Sequence, residues 1–200
     1  MPAPSWPSRA SRVDEVESSE LMSIAGAQAD VRRIYRGGYS GPLVSVILWA
    51  GANTVYFLVS PGAAMAVLFF GGMLIFPLSA VILRVTSGSA MLPKGHPSTA
   101  LAMQSAFTVP LGLLIAIALG SYEPILFFPA SLIIVGAHYL VFISLYGMKV
   151  FAVLAAALLL AGTAGVFLVP EIGAISGWIG AIIFAAFVPV LFRTRVKRQV

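Results

Sequence analysis

The long apolar runs between Pro42 and Phe192 constrain this chain more than any other feature. Each is at least as long as the ~18 residues that mark a membrane-crossing helix. In hydrocarbon the backbone N–H and C=O groups have no water to bond, and a helix satisfies them within its own segment. The expected fold class is therefore all-α, a polytopic membrane protein. Composition agrees, with 60% hydrophobic and 10% charged residues, where soluble domains carry roughly a quarter charged. No soluble domain is left over.

Proline, glycine and charge divide the runs. The stretch Pro42 to Leu83 is too long for one span, and Ser60-Pro61-Gly62 breaks it because neither proline nor glycine favours a helix interior. Arg84 to Pro97, RVTSGSAMLPKGHP, is the longest polar connection and holds His96. Ser121-Tyr122-Glu123-Pro124, Gly147 to Lys149 and Pro170-Glu171 supply the remaining breaks. Six transmembrane helices are expected at 42–60, 62–83, 98–120, 124–146, 149–169 and 172–192, followed by a basic cytoplasmic tail at 193–200. Pro77, Pro110, Pro129 and Pro189 are expected to interrupt spans two, three, four and six.

Ahead of the spans, residues 1–10 are rich in proline and serine and are expected to be disordered. Residues 11–38 carry apolar positions at three- and four-residue spacing, acids early and bases late, which predicts an amphipathic helix ended by Gly37 and Gly38. Such a helix either lies in the membrane interface or serves as a packing lid. The first forty residues lack the apolar core of a signal peptide, so insertion is expected to begin with the first span.

The formal net charge of +5 is explained by position and not by nucleic acid. With six spans, every Lys and Arg falls on one side of the membrane, and the other side holds only Glu123 and Glu171. By the positive-inside rule both termini are expected in the cytoplasm. The absence of cysteine removes disulfides, thiolate metal sites and thiol nucleophiles.

Polar groups inside the spans are where chemistry would lie, since they are costly there. His138 is the one titratable group besides tyrosine well inside a span. Counting 1.5 Å per residue sets it about 12 Å above the basic end of span four, and Gln104 about 9 Å above that of span three. A His138–Gln104 contact is therefore feasible, and Asn53 is expected nearer the midplane. The candidate polar site is His138, Gln104, Asn53 and Tyr139. It serves either small-solute or proton movement, or only as glue between helices. No catalytic residue, metal site or cofactor is expected, because no carboxylate pair, HExxH or clustered ligand set occurs in the spans. The expected partners are the lipid bilayer and a small solute or proton, with homo-oligomerisation left open.

Four pieces carry a resemblance: DVRRIYRGGYSGPLVSVILWA, GGMLIFPLS, FTVPLGLLIAIAL and LFFPASLIIVGAHYLVFISLYGMK. Together they resemble an uncharacterised bacterial family of small six-helix integral membrane proteins, a domain of unknown function. The GAH-aromatic motif followed by LY places His138 and Tyr146. Here FPLS stands where FPLG is expected, and the N-terminal extension lies outside the pattern. The resemblance implies topology and a bacterial inner membrane, and no activity.

Overall fold

Helix α1 occupies residues 24–34, and six longer helices follow: α2 Ser40–Leu58, α3 Pro61–Ser87, α4 Thr99–Tyr122, α5 Phe127–Tyr146, α6 Val150–Thr163 and α7 Ser176–Val196. The computed structural model describes residues 24–87 and 91–196, and among them there is no strand. Helices α2 to α7, with their flanking turns, are long and apolar enough to cross a membrane. The chain is thus an all-α bundle with six candidate spans. Residues 1–23, and with them the first half of the expected amphipathic helix, lie outside the described residues.

Local chemistry sets the boundaries. Pro61 starts α3, where a helix has no use for its missing N–H, and Ser60 Oγ accepts from the Ala63 N–H at 3.1 Å. Gly147, at φ 61°, closes α5 in the left-handed region. Between α1 and α2 three successive residues have positive φ, namely Arg36, Gly37 and Gly38, which turns the chain sharply into the first span. Pro77, Pro110 and Pro189 lie inside α3, α4 and α7. Pro129 does not interrupt its span as expected. A 3-10 turn at Pro124–Leu126 delays α5 to Phe127, so Pro129 sits in the first turn, where no intrahelical donor is needed.

The six spans form a ring in chain order, α7 closing back on α2. One half is densely packed. A Cβ added to Gly136 of α5 would stand 3.0 Å from Leu159 N and 3.2 Å from Ala155 O of α6, so glycine lets the two backbones approach. Trp49 of α2 packs against Phe128 of α5 and Phe184 of α7, and Tyr139 stacks on Phe151 of α6 with ring centroids 6.2 Å apart. Spans α3 and α4 are the least covered, with Phe70, Met73, Leu74, Phe107 and Leu111 all exposed, a face suited to lipid.

Helix α1 folds over the end of the bundle that carries the basic residues. Val31 is fully buried, Gln28 Nε2 donates to Ser144 O at 2.7 Å, and Arg32 donates to Tyr146 O. On the outer side of α1, Asp30 pairs with Arg33 at 2.8 Å and lies 3.9 Å from His96 Nε2 of the connecting loop. His96 Nδ1 accepts from Ser98 N.

Candidate functional site

The other half of the ring is hollow. Helices α2, α3, α4 and α5 enclose a cavity of about 240 Å³ that runs from the basic end, at Ser40, Leu83 and Tyr146, to Trp49, Leu68 and Leu113 deeper in the bundle. Its wall is mostly apolar. Its polar lining residues include Ser45, Ser79, Ser105, His138 and Tyr139.

His138 projects from α5 towards α4. Its Nδ1 lies 3.0 Å from Ser105 Oγ, and its ring packs edge-on against Phe142 at 4.8 Å. The expected neighbour, Gln104, is not the partner. It lies one residue earlier on α4, on an exposed face, because one residue rotates a helix by about 100°. The second ring nitrogen, Nε2, makes no hydrogen bond among the described residues, yet it is not among the sealed polar atoms, so an occupant can reach it. It donates if Ser105 gives its proton to Nδ1, and accepts in the other tautomer.

Ser79 has no counterpart in the sequence reading. Most helical hydroxyls in this bundle bond back to the carbonyl four residues earlier: Ser121 to Ile117, Ser131 to Phe127 and Ser176 to Ile172, each at 2.8 Å. Ser79, 9% exposed, does not, and its Oγ is buried without a partner on a cavity-lining residue. Rotation about one bond presents that hydroxyl to whatever occupies the space. The available signal was its place on the α3 stripe of Met73, Phe76 and Ala80, all of which line the cavity.

The remaining candidates divide. Tyr139 is buried and its hydroxyl bonds Ser45 across the bundle, tying α5 to α2 beside the cavity. Asn53 is elsewhere. It is fully buried near the end of α2 away from the basic residues, and not towards the midplane, with Nδ2 donating to Ala174 O at 2.9 Å and Oδ1 accepting from Trp178 N at 3.0 Å. Asn53 caps the first turn of α7 from a neighbouring helix. It is glue and not part of the cavity.

At the basic end of the cavity stands Tyr35. Loss of contact with water raises its phenol above the ordinary value, and a hydrogen bond with the Leu92 backbone opposes that shift. It therefore stays an uncharged donor across the physiological range. Among the described residues no Asp, Glu, Lys or Arg lines the cavity. Among the described residues no group of three or more His, Cys, Asp or Glu could hold a metal ion. The site can offer hydrogen bonds to a neutral molecule, and it has no counter-charge for an ion.

Compared with known protein families, residues 24–193 match one described as a family of unknown function, DUF7010. No curated protein and no solved structure matches the chain.

Proposed function

The chain belongs to that family of unknown function, so its activity has to be read from its site, and we propose that it is a membrane protein that binds a small uncharged solute in the cavity beside His138, in the manner of a transporter or channel. The observation that carries this is one space lined by two residues with unused polar groups, His138 with Nε2 and Ser79 with Oγ, in a mostly apolar wall. Such a combination, apolar surface with a few placed polar groups, is the usual make-up of a small-molecule site. Proton movement is less well supported, because a relay needs successive stations and His138 is, among the described residues, the one non-tyrosine titratable group in the wall. With the basic residues gathered at the α1 end, that end of the cavity faces the cytoplasmic side of a bacterial inner membrane.

The alternative, polar residues acting only as glue, describes Asn53 well, since both ends of its amide are used between helices. It does not account for Ser79. The test uses a Trp6→Phe, Trp178→Phe background, which leaves Trp49 of the cavity wall as the sole indole. 2,2,2-Trichloroethanol, a small uncharged quencher, is titrated into the purified protein. Saturable quenching that Ser79→Phe removes, with helicity retained, supports a binding cavity. Quenching that stays linear and identical in both proteins supports glue.

A further inference from the structure

The four sides of the cavity are not closed alike. Between α2 and α3, Leu48 fills the space above Gly71 so tightly that a Cβ there would collide with it. Between α4 and α5, Ile134 stands 2.5 Å from the position of a Gly112 Cβ, and Ser105 bonds His138. Between α5 and α2, Tyr139 bonds Ser45. On the fourth side, between α3 and α4, the close contacts at glycines lie away from the basic end. There Met65 stands 2.6 Å from a Gly120 Cβ and Leu113 3.8 Å from a Gly72 Cβ.

From that closure towards the basic end the two helices present Met73, Phe76 and Ala80 against Ala102, Ala106 and Pro110. Met73 and Phe76 line the cavity and are also 47% and 55% exposed. Both therefore stand at the boundary between the cavity and the outer surface of the bundle. On the α4 edge nearest the basic end, Ala102, Ser105 and Ala106 have small side chains. Pro77 and Pro110 stand in these two helices. Each lacks the N–H that would bond the carbonyl four residues earlier, and those carbonyls belong to Met73 and Ala106, both in the cavity wall.

Building on the binding role proposed above, we infer that the cavity is loaded sideways from the bilayer through a slot between α3 and α4, and that its occupant is an uncharged single-chain amphiphile. Its hydroxyl or carbonyl head meets Ser79 and His138 Nε2, and its chain leaves between Phe76 and Ala106. Three observations select this class. Among the described residues the wall has no charge to match an ionised head. Its polar groups are few, and most of the wall is apolar. The volume, 240 Å³, holds roughly ten non-hydrogen atoms, scaling from the ~150 Å³ cavity that binds a benzene. A longer molecule must continue outside, and the slot opens onto the lipid-facing surface.

The experiment places the sole-Trp49 protein in phosphatidylcholine vesicles and adds 11-bromoundecan-1-ol, its carboxylate analogue 11-bromoundecanoate, or trichloroethanol. Expected is saturable quenching by the bromoalcohol and much weaker quenching by the carboxylate. Ala106→Phe should abolish bromoalcohol quenching with helicity retained, and Ala118→Phe, on the exposed face of α4, should change quenching by neither the bromoalcohol nor trichloroethanol. Ala102→Leu repeats the plug with a smaller side chain should Ala106→Phe misfold. Unchanged bromoalcohol quenching in a folded plugged variant overturns the slot. Equal quenching by the carboxylate overturns the uncharged head. Trichloroethanol quenching without bromoalcohol quenching overturns the inference and leaves the binding role standing; failure of both ends the binding role as well.

Discussion

Replacing Asn53 by leucine keeps the branching and heavy-atom count of a fully buried side chain and removes both of its hydrogen bonds, to Ala174 O and from Trp178 N. Interhelical bonds in membrane proteins average about 0.6 kcal/mol, so the pair contributes about 1 kcal/mol. The change also strands a carbonyl and an N–H at the start of α7, and a buried group without its partner costs about 1–3 kcal/mol. We expect Asn53→Leu to destabilise the bundle by about 2–3 kcal/mol, the lower end of the stranding cost added to the pair. The neighbouring Thr54 is the control. It is exposed and its hydroxyl bonds only Ala50 O of its own helix, so Thr54→Leu should stay within about 0.5 kcal/mol of wild type. Unfolding by dodecyl sulfate in mixed micelles, followed by circular dichroism, reads both. Equal stabilities for the two variants would refute the role given to Asn53 as the cap of α7.

Other expectations follow from the same geometry. Gly136→Ala pushes a methyl group against the α6 backbone and should destabilise by about 1–3 kcal/mol. Gly51→Ala, with nothing within 4 Å, should be neutral or slightly stabilising in the same micelle titration, given a helix preference for alanine of up to about 1 kcal/mol. Gly147→Ala meets both a left-handed backbone and the side chains of Gln28 and Arg32. It should loosen α1 and speed proteolysis within residues 24–34 while leaving the spans protected. Reporter fusions should show the C-terminal tail in the cytoplasm and the Glu123 turn outside, and an external tail would reverse the orientation proposed from the basic residues.

Much of this architecture could be read from the sequence, because each apolar run ends at a proline, glycine or charge that physically stops a helix. The break at Ser60-Pro61-Gly62 coincides with the Ser60 cap of α3. His138 stood out for the same kind of reason, being a lone imidazole in an apolar run. What could not be read was rotation. A step of one residue turns the helix by about 100°, and that angle separates exposed Gln104 from Ser105, and exposed Thr54 from buried Asn53. Depth counting cannot resolve it. Ser79 was hidden for another reason, since a helical serine normally satisfies itself on its own backbone. Only the packed structure shows that it does not.

The most direct test of the binding cavity is an experimental structure of the wild-type protein in a lipidic environment. The account predicts an open space between α2, α3, α4 and α5 containing non-protein density within hydrogen-bonding reach of Ser79 Oγ and His138 Nε2. An α3 packed flush against α4, with Ser79 bonded to its own helix and no space remaining beside His138, would contradict it.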